Sequence, residues 1–301
     1  MTIGKIERPT ASLGHRLWVS FRSYIFLWPA VIVLFSVTIF PTVYTIYLSL
    51  VQYKTYIFSH PFVGLQNYAY LVQSPDFWNS LSVSGVFVLC TVSLSIFFGL
   101  ILALSLNQKL RGENVFRAFV ILPFTIAPVV TGFAWRYLLD SNQGLLGAFI
   151  LPGLGIHIPT ILGSPSGALA AVIMADVWTK TPLMFLIILA GLQGIPPNLY
   201  KAAKVDGAGA WSTFSRITLP SLRRVMLIAL ILKVIDSVND FDQVYVMTAG
   251  GPGTATRVLA VQGYETAFPF SNIGEAAALG VIMIIISLIA ITILIRYYNK
   301  E

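Results

Sequence analysis

Two apolar stretches of the sequence carry charge where charge is expensive. In one, Asp176, Thr179 and Lys180 fall at i, i+3 and i+4, with Leu183 next along the same helical face. In the other, Lys233, Asp236, Ser237 and Asp240 fall at i, i+3, i+4 and i+7, with Asn239 beside them. An ionisable side chain inside a bilayer is costly and usually faces the protein interior or a water-filled path. Two such stripes could line one polar cavity. That chemistry suits hydroxyl-rich solutes, which need many hydrogen-bond partners and an apolar or aromatic face. Transport also needs weak binding, because a tight site would not release its cargo. The spacing has a second reading: Asp176 with Lys180, and Lys233 with Asp236, as ion pairs internal to their own helices. Arg136 and Asp140, at the end of another apolar stretch, read as a snorkelling side chain or a local pair. Asp242 and Tyr245 fall near the outer mouth, within reach of substrate or a partner. His15, His60 and His157 are isolated and lack metal-ligand spacing.

The elements that must position these residues are membrane helices. Hydrophobic residues make up 56% of the 301 and charged residues 10%, where soluble domains carry about 25% charged. Mean hydropathy is +0.81. Cys90 is the only cysteine, so no internal disulfide can form. A crossing needs about 20 mostly apolar residues. Six segments qualify, at 24–50, 80–106, 117–139, 168–192, 221–248 and 274–296. The first is too long for a signal peptide and is expected to be retained, with a kink near Pro41. Trp78, Trp135 and Trp178 read as interfacial anchors near span ends.

The net charge of +7 follows topology rather than nucleic acid. Lys5, Arg8, Arg16 and Arg22 precede the first segment. Lys109, Arg111 and Arg117 lie in the second-to-third connection, and Lys201, Lys204, Arg216, Arg223 and Arg224 in the fourth-to-fifth. Arg296 and Lys300 end the chain. The other connections hold only Lys54 and Arg257. The positive-inside rule therefore places both termini in the cytoplasm, as an even number of crossings requires. Loops 51–79, 140–167 and 249–273 face outward.

The longest inner connection is 194–220. Pro196 and Pro197 can open a short helix, since an early helical position needs no amide hydrogen. Leu199, Ala202, Ala203 and Val205 give it a small apolar surface. Gly207 and Gly209 permit the turn that ends it. A second short helix from about Ala210 to Ile217 is expected to stop before Pro220. The segment is too short and polar to cross, so it lies along the inner membrane face as a connector or a docking element.

Ala202-Ala203, then Gly207, then nine residues, then Ile217-x-Leu219-Pro220 resembles the EAA motif of binding-protein-dependent ABC permeases. Asp206, Ala208, Trp211 and Phe214 fit the same pattern. The likeness runs from about Trp28 to Arg296. Phe62-Val63-Gly64-Leu65-x-Asn67-Tyr68, Phe77-Trp78, Arg111-Gly112, Phe116-Arg117 and Leu122-Pro123 resemble carbohydrate permeases of the maltose and glycerol-phosphate type, as does Gly250-Gly251-Pro252 followed by Ala255-Thr256. One departure is Lys201, where the motif has glutamate.

The resemblance implies an all-α integral membrane protein with the type I ABC importer permease fold. It has six transmembrane helices and a cytoplasmic coupling helix between the fourth and fifth. Residues 1–23 are an inner tail, 24–50 the first crossing, 80–296 the five-helix permease core and 297–301 a short tail. The chain would sit in a bacterial or archaeal cytoplasmic membrane. It would form half of a path for a sugar or oligosaccharide. A second homologous permease would complete the path, and an extracytoplasmic sugar-binding protein would deliver the cargo. Two ATP-binding cassette subunits would dock on Tyr200, Lys201, Ala202, Ala203, Asp206, Gly207 and Ala208. They would bind ATP and Mg; this chain has no G-x-x-x-x-G-K-[ST] and is expected to bind no cofactor. The family's sugar contacts lie mainly on the two striped helices. A proton-coupled secondary transporter, with Asp176, Asp236 or Asp240 as relay, is the competing reading, but it usually shows an internal helix repeat and none is seen. A polytopic enzyme would need a nucleophile, metal cluster or paired acids near an interface.

Overall fold

The computed structural model describes residues 27–108, 112–150, 153 and 160–299. The tail 1–23, with His15 and its four basic residues, lies outside them, as do Lys109, Arg111, His157 and Lys300. The described residues are helical, and two isolated β-bridges, Val51 with Phe62 and Lys54 with Asn272, are the extended pairing among them.

Four helices are long and apolar enough to cross a membrane: α1 (Trp28–Ser49), α3 (Pro75–Leu106), α6 (Pro165–Gln193) and α11, whose apolar run is Ile273–Tyr298. Between α1 and α3 lies α2 (Gln66–Gln73). The third expected crossing is two helices, α4 (Glu113–Thr125) and α5 (Pro128–Leu138), bent by 94°. Pro128 explains the break: the residue before a proline is pushed out of the α region, and Ala127 and Ile126 are both extended. If the bent pair counts as one crossing, five are identified by length and apolarity. The fifth expected segment, 221–248, is also divided. Helix α8 (Leu219–Val238) ends at Asn239, and a separate α9 (Asp242–Thr248) follows. Helix α8 carries Arg223, Arg224, Lys233 and Asp236, too many charges for an apolarity test to pass.

The core is built on α3 against α6. Gly99 lets them touch: a Cβ there would lie 2.8 Å from the Met184 Cβ. Phe87, Val172 and Ala175 pack with Val244 and Val261 at one end of this seam. Ala103, Phe185 and Ile188 pack with Leu222 at the other, and Val92, Met184, Ala229 and Val234 fill the middle. Helix α10 (Leu259–Ala267) closes the first end and leads into α11. Helix α1 packs mainly on α11 and exposes every residue from Trp28 to Tyr44.

Two prolines expected to kink or stop a helix do neither abruptly. Pro41 follows a π turn at Phe35–Ile39, and Pro220 follows another at Phe214–Thr218. A proline ring clashes with the carbonyl four residues back. The wider i→i+5 turn makes room for it. The helix from Ala210 therefore runs on through Pro220 into α8 instead of stopping. Trp178 is a further correction. It lies midway along α6, far from either end of that helix, edge-on to Trp135 with centroids 5.9 Å apart.

Candidate functional site

The two stripes meet, and their charges pair across helices. Lys233 donates to the Asp176 Oδ2 at 2.7 Å, with side chains 1% and 0% exposed. Lys180 donates to the Asp236 Oδ1 at 2.8 Å, with side chains 16% and 37% exposed. Lys233 also reaches the Asp236 Oδ2 at 3.3 Å. The expected internal pair of Asp176 with Lys180 is thus replaced, and that of Lys233 with Asp236 is the longest link of a lattice. Packing decides this. A buried carboxylate needs a counter-charge at close range, and the facing helix supplies one nearer than the same helix does.

Both stripes have a closed side and an open side. Thr179 is buried and returns its hydroxyl to the Ala175 carbonyl at 2.8 Å. Leu183 is half-buried against the central apolar cluster. Ser237 is buried and shares a hydrogen bond with Thr91 of α3 at 3.1 Å. Asn239 is exposed and caps α8 by donating to the Ile235 carbonyl at 2.8 Å. Asp240 is half-buried. Its Oδ2 and the Asp176 Oδ1 are buried without a conventional donor, and the two carboxyl groups face each other within hydrogen-bonding reach. Asp240 sits at the break between α8 and α9, where solute hydroxyls could approach, while Asp176 lies sealed behind it.

Sequence reasoning missed two contributors. Thr91 is one of several hydroxyl residues in α3, among them Ser84, Ser93 and Ser95, and nothing in their spacing singles it out. The second is an aromatic group just past Asp240. Phe241 stacks on Tyr245 at 5.1 Å, and Tyr264 of α10 lies 4.9 Å from both. The spacing of Phe241 and Tyr245 was legible; their convergence with Tyr264 depends on α9 and α10 packing together. Asp242, expected near the mouth, opens α9. Arg136 and Asp140 do not pair with each other. Arg136 donates to the Val246 carbonyl at 3.3 Å. Asp140 accepts from the Gln143 and Asn142 amides at 2.9 and 2.8 Å, and these bonds hold its carboxyl below the usual range. His60 stacks on Tyr53 at 4.0 Å.

The 194–220 loop begins with α7 (Pro197–Val205), opened by Pro196 and Pro197. Its end is closed by Gly207 at φ +73°. The Ala208 amide bonds back to the Ala203 carbonyl at 2.9 Å, and Gly207 to Lys204 at 3.3 Å, the pattern of a left-handed helix stop. Of the expected docking residues, Tyr200 and Ala203 turn inward. Tyr200 shares a hydrogen bond with Thr218 at 3.2 Å and packs on the cluster around Phe185 and Leu222; Ala203 is 7% exposed. Lys201, Ala202, Asp206 and Gly207 are exposed and Ala208 is half-buried. Leu199, Val205 and Trp211 join them on the outside, at 45%, 88% and 77% exposure. No metal cluster is present among the described residues.

Residues 95–301 match the family described as binding-protein-dependent transport system inner membrane component. The trehalose/maltose transport system permease protein MalF of Thermococcus litoralis is 38% identical over 274 residues, 91% of each chain. The trehalose transport system permease protein SugA of Mycobacterium tuberculosis is 30% identical over 284 residues, 92% of this chain and 90% of the other. Among solved structures, a chain of a bacterial ABC transporter involved in import of the acidic polysaccharide alginate superposes with a TM-score of 0.81. It is 20% identical and covers 95% of this chain and 99% of that one.

Proposed function

The chain belongs to the binding-protein-dependent inner membrane component family and is thus a permease subunit of an ABC importer, and we propose that its cargo is a neutral sugar or oligosaccharide. What carries the cargo reading is the cross-paired lattice. Both lysines of the lattice are occupied by carboxylates, which disfavours an acidic cargo, and Asp240 stands half-buried at its rim beside Asp176. Hydroxyl donors fit such a site, and Phe241, Tyr245 and Tyr264 offer the apolar faces a sugar ring needs. The trehalose and maltose names of the relatives support the same reading. The substrate pathway then runs past Asp176, Thr179, Lys180, Leu183, Lys233, Asp236, Ser237, Asn239 and Asp240, with the solute meeting the open side first.

Six crossings are part of this reading. Helix α8 has 20 residues, about 30 Å at 1.5 Å per residue, enough for the hydrocarbon core. Its two inner charges are cancelled by Asp176 and Lys180, so its poor apolarity does not forbid burial. Both termini and the 194–220 loop would be cytoplasmic. A second permease would complete the path, an external binding protein would deliver sugar, and two ATPase subunits would bind ATP and Mg and dock on α7. The docking face is the exposed set Leu199, Lys201, Ala202, Val205, Asp206 and Trp211. Tyr200 and Ala203 support it from behind.

The test is purification of the chain with its partner subunits, followed by a screen of sugars for stimulated ATP hydrolysis. One or more neutral sugars should stimulate when presented on the binding protein; stimulation by none, with amino acids or peptides active instead, would overturn the cargo reading. The dock is tested in the same assay. Gly207→Val forces a β-branched residue to positive φ and should uncouple hydrolysis from sugar, while Lys201→Glu should be mild. Full coupling in Gly207→Val would remove this loop from energy transmission.

A further inference from the structure

The outer end of the molecule holds a second polar cavity, remote in sequence from both stripes. It has a volume of about 300 Å³ and lies between the segment after α1, helix α2, helix α10 and the start of α11. Lys54, Tyr70, Arg257, Gln262, Glu265 and Glu275 line it. Arg257 is held in its wall. Its Nη2 lies 2.8 Å from the Asp76 Oδ1, an approach too bent for a hydrogen bond, and its Nη1 lies 3.7 Å from the Glu265 Oε2. Glu275 is oriented by the Asn272 amide at 2.7 Å. Gln262 is 6% exposed, and its Oε1 is buried with no hydrogen-bond partner. A buried amide oxygen left without a donor costs about 1–3 kcal/mol. A ligand that donates to it recovers that cost. Tyr70 is 64% exposed at the same cavity and offers a flat ring. Acceptors outnumber cations, and Arg257 is committed to carboxylates, so an anionic ligand is disfavoured.

We propose that this outer cavity is a binding site for one neutral glycosyl unit, separate from the pathway stripes. The proposal rests on the carbohydrate reading above. Hydroxyl groups of the ring donate to the Gln262 Oε1 and to the Glu265 and Glu275 carboxylates, and Tyr70 covers one C–H face. The volume is at the small end for ligand sites, which run about 300–1,000 Å³, so it fits one ring of a longer chain. The site would hold a sugar as it leaves the binding protein and before it reaches Asp240.

The experiment uses the assembled transporter in lipid nanodiscs without binding protein, probed with trehalose and with maltose by saturation-transfer NMR. Transfer from protein to sugar should be seen in the parent complex. Tyr70→Ala, an exposed position that does not threaten folding, should weaken binding about fivefold, as expected for loss of one stacking contact. Gln262→Leu should weaken it further. Unchanged transfer in both cavity variants would overturn the proposal, and so would absence of transfer in a parent complex whose ATP hydrolysis the loaded binding protein still stimulates. If neither sugar stimulates hydrolysis and the panel test above finds only non-sugar cargo, the cargo reading has failed and this site fails with it.

Discussion

Two charged clusters in this chain hold the same inventory of three carboxylates and two cations, and they are assembled differently. Asp176 and Asp236 meet Lys180 and Lys233 on the facing stripes through links of 2.7, 2.8 and 3.3 Å, and Asp240 lies beside Asp176. Asp76, Glu265 and Glu275 share the outer cavity with Lys54 and Arg257, through links of 2.8 and 3.7 Å. The first cluster is sealed at one corner: Lys233 and Asp176 are the least exposed charged side chains in either set. The second has Asp76 65% exposed. The same charges therefore do different work. Where water is excluded, an ion pair must be complete, and breaking it leaves an uncompensated charge. Where water enters, the pair contributes little to stability and its groups remain free to exchange partners with a ligand.

The largest effect should come from the sealed corner. Lys233→Met leaves Asp176 buried and unpaired, and the assembled complex should lose about 3–5 kcal/mol of stability, read as a lower thermal midpoint and poor yield. Asp176→Leu combined with Lys233→Met should recover much of it. A harmless Lys233→Met would erase the distinction between the clusters. Next comes the open side of the same lattice. Asp240→Leu and Ser237→Leu should each reduce sugar uptake severalfold with little change in assembly; normal uptake in both would make the α8 stripe structural. Lys180→Met should cost roughly 1 kcal/mol, the upper end for pairs that see solvent, because Asp236 keeps Lys233 as a neighbour. A cost equal to that of Lys233→Met would mean that both corners are sealed.

The smallest effect separates two outer carboxyls by pH. Burial raises the Glu265 carboxyl above its ordinary value of 4.5, the Asp76 carboxylate adds to the rise, and Arg257 opposes it. A raised acid binds its proton more tightly in the folded state. Its contribution to stability is full below the ordinary value and is lost as pH rises through the folded one. Asp140 is lowered by the Gln143 and Asn142 amides, so its contribution is present above its ordinary value and is lost as pH falls. The thermal midpoint of Glu265→Gln, compared with the parent between pH 4 and 7, should lose the decline on the alkaline side. An unchanged pH profile would place Glu265 in ordinary solvent.

The helices were legible where apolarity was unbroken: α1, α3, α6 and α11 fall within a few residues of their expected limits. The bend at Ala127 was not, because both arms are apolar and a hydropathy window sees one span. The stop at Asn239 was legible, since Asn239, Asp240, Asp242 and Gln243 interrupt the apolar run that Val244 and Met247 resume. The stripes could be read because a charge in an apolar helix is conspicuous. Their pairing could not, because i, i+4 geometry and cross-helix geometry use the same residues, and only packing selects between them. In the 194–220 loop, spacing identified the turn at Gly207 correctly. It could not tell that Tyr200 and Ala203 face the chain's own core, because a nine-residue helix has too little pattern to fix which side is wet.

The π turn at Phe214–Thr218 fixes the rotational phase of everything beyond it. One α-helical residue advances about 100° around the axis, and a π turn places one extra residue in a turn. Deleting a single residue from this turn and restoring regular helix would keep α8 apolar and of nearly the same length. It would swing Lys233 by about 100° away from Asp176. The five residues ahead of Pro220 therefore act as an angular spacer. They let the inner loop and the lattice each face its own partner from one continuous rod.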